Sequence, residues 1–279
     1  MNMLPKNVLY YGKGEPLPQR KELRAGPLSL IYEEGDLRYI KLGDREILRR
    51  VYVAIRDHNW GTILPLFSNI QIYIAGDSFR ITYDVENKQG DIDFFWHGTI
   101  TGDAQGTITF TMDGVARSTF MRNRIGFCIL HPAACAGAPC VVEHVDGTTE
   151  RANLPTYIVP DQPVQPFAEM QSLAHEVMPG VWAKVHFSGD IFEMEDQHNW
   201  TDASYKTFCT PLRLPYPVEV KAGTKVVQSV TLMLKDERPT SAGPGLSRDE
   251  GRRPAVQAEA SPLTFTLRSE GTASPLPHI

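Results

Sequence analysis

Two glutamates, Glu193 and Glu195, stand two residues apart in the alternating run 191–197. If that run is a β-strand, its period of two puts Phe192 and Met194 on one face and Glu193, Glu195 and Gln197 on the other. Two carboxyls on one face beside a cation such as Lys206 can divide acid and base roles, one kept ionised and the other with a raised pKa. Addition of water to a carbonyl carbon needs such a division: a base for the attacking water and a donor for the developing oxyanion. The same alternation equally describes the solvated outer face of a sheet.

The polar run continues through Asp196, His198, Asn199, Trp200, Asp202 and Ser204 to Lys206, too polar for core and too aromatic for a plain loop. Trp200 offers an apolar face to the C–H side of a polyol, or else plugs the end of a sheet. A second cluster is Arg56, Asp57, His58, Asn59 and Trp60. Arg56 has the planar fork that clamps a carboxylate, and Asp57 beside it is the ordinary alternative partner. Arg122, Asn123 and Arg124 interrupt an apolar run, and an arginine buried there needs a partner, for which Glu143 or Glu195 is available.

An imidazole is the side chain whose ordinary pKa lies nearest neutrality, so His131, His144 and His175 are each a candidate base or a hydrogen-bonded structural residue. His175-Glu176 lacks the second histidine four positions on, where Pro179 stands, so it is no zinc-protease signature. Cys135 and Cys140 have the spacing of half a zinc site, but no second pair follows, and no metal is expected. There is no Gly-x-Ser-x-Gly elbow and no glycine-rich phosphate loop opening a helix, so neither a serine nucleophile nor a nucleotide cofactor is expected.

These residues must be positioned by strands. Short β-type runs at 28–33, 37–42, 49–56, 69–75, 79–86, 94–101, 106–112, 120–130, 140–145, 181–187 and 226–234 are separated by Gly-Asp, Asp-Gly and Glu-Gly-Asp turns. Only 166–177 hints at a helix, bounded by prolines. So many antiparallel strands cannot form one flat sheet, which predicts an all-β fold, a large antiparallel β-sandwich of two stacked sheets. The sandwich is expected over 1–236 and a linker or exposed loop, rich in Pro, Gly, Ser, Arg and Glu, over 237–260. A terminal strand and lead into a second domain is expected over 261–279.

An apolar fraction of 42% and a charged fraction of 22% over 279 residues allow a sizeable core. The net charge of −5, with both signs interspersed, gives no basic stripe for nucleic acid. No run of apolar residues is long enough for a membrane helix, residues 1–13 lack the core of a signal peptide, and four cysteines are too few for a disulfide scaffold. A cytoplasmic protein with neither a nucleic-acid nor a membrane partner is expected.

Several segments resemble the N-terminal β domain of the D-apionate lactonase family. They are Gly26-Pro-Leu-Ser29, Leu37-Arg-Tyr-Ile40, Arg56-Asp-His-Asn-Trp-Gly-Thr62, Met112-Asp-Gly114, 123–132, 135–140, His175-Glu176 with Pro179-Gly180, and 193–206. The last is the most specific, although the family carries arginine at the position of His198. The resemblance implies an enzyme part that opens the lactone of a branched sugar acid by adding water, together with a barrel-type domain missing from this chain. The residue types and spacings read above make Glu193, Glu195, His131 and His175 candidate catalytic residues, and Arg56, His58, Trp60, Arg122, Arg124, Asp196, His198, Trp200 and Lys206 candidates for substrate binding. Two other readings stand beside the lactonase one. One is a self-contained aldose epimerase or mutarotase using His131 or His175 with Glu193 or Glu195; the other is a carbohydrate-binding or scaffold module without chemistry.

Overall fold

The computed structural model describes residues 4–12, 14–158, 166–197 and 204–236. After a short helix, α1 (Lys6–Tyr11), the described residues form β1 (Arg20–Ala25), β2 (Leu28–Glu33), β3 (Asp36–Leu42), β4 (Arg45–Asp57), β5 (Pro65–Ala75), β6 (Ser78–Gln89), β7 (Ile92–Gly102), β8 (Ile108–Ala116) and β9 (Phe120–Pro132). A single turn of 3-10 helix leads to β10 (Pro139–His144), β11 (Thr149–Asn153), β12 (Phe167–Met178), β13 (Val181–Ser188), β14 (Phe192–Glu195), β15 (Ser204–Phe208), β16 (Val218–Val220) and β17 (Lys225–Lys235). The expected all-β class is what the chain adopts. The ranges 237–260 and 261–279, read as linker and terminal strand, lie outside the described residues.

Every strand pairing is antiparallel, and the strands join into one continuous sheet. Hydrogen bonding runs from β1 through β2, β3 and β4 to β9, and from β9 through β15 and β14 to β12. It continues through β13, β17, β8, β7 and β6 to β5, while β10 and β11 extend the other edge of β12. The far ends come back together, because the Gly26 N–H at the end of β1 donates to the carbonyl of Asp77 before β6 at 2.8 Å. Twist carried through so many strands curls the sheet until it nearly closes on itself.

The core lies inside that curl. Leu37, Ile40, Leu48 and Val51 of β3 and β4 face Ile108, Phe110, Val230 and Leu232 of β8 and β17 across one small interior space. Phe110 meets Phe127 of β9 edge-on at 4.9 Å, a favoured aromatic geometry. Tyr83 is fully buried among Phe67, Trp96 and Phe110, and its hydroxyl donates to the carbonyl of Gly35 at 2.9 Å. Tyr83→Phe leaves that carbonyl without its partner in a dry core, so the variant is expected to lose about 1–2 kcal/mol, read as a lower urea midpoint with an unchanged slope.

The stretch 166–177, whose pattern suggests a helix, is instead β12. Register shifts between Phe167 and Met170 and between Glu176 and Met178 break the period of two, so buried residues recur at helix-like spacing. Strands on both edges leave every residue except the bulged ones in the ladder.

Candidate functional site

Register fixes which side chains share a face, because directly opposed residues of an antiparallel pair point the same way. Leu130 of β9 lies opposite both Arg50 of β4 and Lys206 of β15, and Lys206 lies opposite Glu195 of β14. One step along, Cys128 lies opposite Tyr52 and Phe208, and Phe208 opposite Glu193. Further on, Arg124 lies opposite Arg56. Four strands therefore present one polar face: Arg50, Tyr52 and Arg56, then Arg124 and Cys128, then Lys206 and Phe208, then Glu193 and Glu195. The other parity, Val51, Ile55, Ile125, Phe127, Ile129 and Met194, belongs to the core.

Arg50 and Lys206 on this face are held over aromatic rings. The Arg50 guanidinium sits 4.0 Å above Tyr52 and the Lys206 ammonium 5.2 Å from Phe208. Lys206 forms an ion pair with Glu195, which remains half-buried. Glu193 is completely buried: one oxygen accepts the Leu212 N–H and the other has no partner. Burial pushes its carboxyl above the usual range, against the pull of the Leu212 N–H and of Arg124 and Arg213. The alternation read for 191–197 holds over β14, 192–195, with Gln197 in the turn beyond it; the carboxylate face is neither a solvated surface nor an open pair, since Glu193 is fully buried and bound to the Leu212 N–H.

The Arg56–Trp60 cluster is a turn at the end of β4. Asp57 accepts the N–H groups of Asn59 at 2.8 Å and Gly61 at 2.7 Å through one carboxylate oxygen, while Arg56 donates to the Thr62 hydroxyl. That turn holds Trp60 at a positive φ of 68° and leaves His58 exposed, in contact with the Asn59 amide at 3.0 Å. Trp60 meets Tyr216 edge-on at 5.1 Å, and the Arg124 guanidinium lies 5.2 Å and 5.0 Å from the two rings. Arg124 is 5% exposed, whereas Trp60 and Tyr216 are 41% and 47% exposed. Tyr216 carries no sequence signal beyond its place between Pro215 and Pro217. It reaches the site because β16 pairs with β9, Val218 opposite Arg122, and lays the preceding loop over β9.

Arg122, Asn123 and Arg124 form a bulge, since Arg56 and Asp57 lie opposite Arg124 and Arg122 with Asn123 left over. The partners expected for the arginines are engaged elsewhere: Glu143 with Lys184 at 2.7 Å and with the Ser172 hydroxyl, and Glu195 with Lys206. Arg124 instead donates to the carbonyls of Asn123 at 2.6 Å and Pro211 at 3.0 Å. Asp196 is buried beside β14, and the Gln197 amide donates to the Thr156 carbonyl at 2.8 Å. His198 and Trp200 lie outside the described residues.

His131 and His175 fall on the opposite side of the sheet. His131 is paired with Tyr205, the neighbour of Lys206 with reversed parity, so it points into the core while Glu195 and Lys206 point away. Its ring meets His175 edge-on at 6.1 Å and contacts the Thr207 hydroxyl at 3.0 Å, and His175 lies 3.6 Å from the Cys135 sulfur. Burial drives both imidazoles down, to about 3 for His131 and about 4 for His175. Among the described residues, the structure thus does not bring His131 or His175 together with either glutamate, the pairing expected of a histidine–glutamate epimerase; groups of opposite strand parity are kept apart by the sheet itself. Among the described residues, no group of three or more His, Cys, Asp or Glu side chains is placed to hold a metal ion. No helix of the described residues is long and apolar enough to cross a membrane.

Fold and face together define an all-β chain, a nearly closed antiparallel sheet with one cation-rich outer face. The family profile described as D-apionate lactonase, N-terminal domain, matches residues 8–237, and the chain belongs to that family. The D-apionate lactonase of Brucella anthropi is 38% identical over 273 residues, which is 97% of this chain and 42% of that protein. The chain thus spans about two fifths of the length of this curated relative. Among solved structures, the Slr1438 protein of Synechocystis sp. PCC 6803 superposes with a TM-score of 0.52 over 81% of this chain and 98% of that one, at 9% identity, a likeness of fold. A putative aldose 1-epimerase of Escherichia coli K12 gives a TM-score of 0.48 over 78% of this chain and 99% of that one, at 13% identity.

Proposed function

We propose that this chain is the β-sandwich part of a sugar-acid lactonase, and that its polar face on β4, β9, β15 and β14 takes part in adding water to a cyclic sugar ester. The observation that carries the reading is the 38% identity to a D-apionate lactonase along nearly the whole chain. It is supported by a face that gathers the charged groups such a reaction uses. The layering is a sandwich folded from one sheet, β3, β4 and β9 against β8 and β17, and a barrel-type domain elsewhere in the full-length enzyme closes the site. Localisation is proposed to be cytoplasmic.

In this reading Glu195 is the base. Its side chain keeps 14% of its surface exposed, whereas Glu193 keeps none, and Lys206 compensates its charge. It takes a proton from water as the oxygen adds to the lactone carbonyl; the oxyanion is met by a cation of the same face; the ring C–O bond then breaks, and the leaving alkoxide recovers a proton, giving a hydroxy acid. Glu193 acts by anchoring the 211–213 segment, not by touching substrate. Assayed in the full-length protein with D-apionolactone and other sugar-acid lactones at pH 7, Glu195→Gln is expected to lower kcat at least about 100-fold with the circular dichroism unchanged. Equal rates in the variant and the parent would remove Glu195 from the chemistry.

A further inference from the structure

Buried polar groups without partners converge on the β9 bulge. The Asn123 side chain is fully buried, and neither its amide nitrogen nor its oxygen has a partner. Nε of Arg122 and Nε of Arg124 are likewise buried and unpartnered, and so is the second oxygen of Glu193. Among the described residues, neither Arg122 nor Arg124 has a carboxylate within 4.0 Å. Buried guanidiniums normally sit against a carboxylate, and buried amides normally have every hydrogen-bonding atom engaged, so a cluster of this kind is a site organised for something else. Above it, Trp60 and Tyr216 stand half open to solvent and flank the Arg124 guanidinium.

We propose that the bulge Arg122–Asn123–Arg124, roofed by Trp60 and Tyr216, binds the carboxylate of the ring-opened sugar acid, with the two aromatic rings against the C–H faces of its carbon chain. The ligand class rests on the lactonase reading above. Arg124 supplies a planar donor fork already fixed by two carbonyls, and Asn123 supplies one donor and one acceptor, which suits a carboxylate with a neighbouring hydroxyl. The aromatic pair supplies the apolar area that a polyol covers when it leaves water. The carboxylate is the group the reaction creates, so the subsite takes up charge as the ester opens and holds the product more tightly than the substrate.

The test is a titration of the full-length protein with sodium D-apionate and, as the neutral control, the corresponding alditol, followed by Trp60 fluorescence and by calorimetry. D-apionate is expected to bind at least tenfold more tightly than the alditol. Arg124→Gln is expected to erase that preference; Tyr216→Ala is expected to weaken both ligands together, since it removes ring area and no charge. Trp60→Phe is expected to abolish the fluorescence change while calorimetry still reports binding. Circular dichroism confirms the fold of each variant, and Arg124→Lys, which retains charge without the fork, is expected to recover only part of the preference. Acid and alditol binding equally, or Arg124→Gln binding the acid like the parent, overturns the proposal. Lactone hydrolysis is measured on the same protein in parallel. Turnover without Arg124-dependent acid binding sinks the subsite alone, and Arg124-dependent acid binding without turnover on any lactone sinks the lactonase reading alone.

Discussion

Acidification from pH 7 to pH 4 is expected to remove roughly 3 kcal/mol of stability through each of His131 and His175, at 1.36 kcal/mol per unit of pKa shift. Both rings are buried, meet each other edge-on at 6.1 Å, and each has an Nδ1 without a hydrogen-bond partner. Burial is the principal cause of the downward shift in each; for His131 the neighbouring His175 adds to it, and for His175 it is Arg45 that adds. A free histidine in the unfolded chain takes up its proton near pH 6.5, whereas the folded values are about 3 and about 4. Between those limits the unfolded state binds more protons, so stability is full above pH 6.5 and is lost as pH falls toward the folded values. Two imidazoles titrating together give a slope approaching two protons over that window.

Other groups titrate in the same range. Burial also pushes the carboxyl of Asp36 up, to about 6 against the pull of Arg50 and Arg38, and raises that of Glu193. These raised carboxyls add stability as pH falls, the opposite sign. The measurement is therefore a difference: urea unfolding of the parent and of His131→Gln/His175→Gln at half-unit steps from pH 7 to pH 4. The parent curve is expected to fall relative to that of the variant by several kcal/mol across the series. Parallel curves would show that the two rings are hydrated or already charged in the native state.

The same histidines show what was legible in the chain and what was not. Strand identity was readable at many turns, as at Glu34-Gly35-Asp36, where Gly35 takes a φ of 84°, though β1 and β11 gave no clear alternation. It failed at 166–177, where two bulges imitate helical spacing. The parity of Glu193 and Glu195 was also readable, because β14 is short and carries no bulge. The side of the sheet on which His131 lies was not, because it depends on pairing with β15, more than seventy residues distant in sequence. Charge partners were misassigned for the same reason. Glu143 is separated from Lys184 by forty-one positions, and only the fold shows that this lysine occupies it. The Trp60–Tyr216 contact is more remote still, and nothing local to Tyr216 announces it.

In the proposed function β9 is the strand that joins the parts of this face. It carries the Arg122–Asn123–Arg124 bulge at one end and Cys128 and Leu130 on the polar face, and it pairs with β4, β15 and β16. A half-buried thiol, Cys128, sits where Lys206, Arg56 and Arg50 all act on it, and burial still raises its pKa, so a thiolate is not what this face offers. In the proposed reaction the chemistry rests with its carboxylates and guanidiniums, and β9, which carries Arg124, is approached closely by Gln228 of β17.

Gly126 sets that approach, and Gly126→Ala is expected to cost about 3 kcal/mol or more, combining backbone strain with overpacking. Its φ of 148° lies in a region that side chains rarely adopt. A Cβ there would fall closer than 3.0 Å to both Gln228 side-chain polar atoms and to the Cys209 sulfur. Gln228 cannot yield freely: its oxygen accepts from the Phe127 N–H at 3.3 Å and from the Cys209 thiol at 3.3 Å, and its nitrogen donates to the Ile125 carbonyl at 3.2 Å and toward Asp190 at 3.4 Å. Moving it frees two buried backbone groups of β9, one on each side of Gly126, next to the bulge that holds Arg124. Gly90→Ala separates strain from crowding, because Gly90 has a φ of 56° and nothing within 4 Å of the added carbon; it is expected to cost only about 1–2 kcal/mol. Urea midpoints for the two variants test this, and a Gly126→Ala loss no larger than that of Gly90→Ala would mean that β9 and β17 can separate without disturbing the core. With the expected larger loss, D-apionate binding by the surviving folded fraction at low temperature is expected to weaken as well, since the strand that strains is the one that carries the guanidiniums.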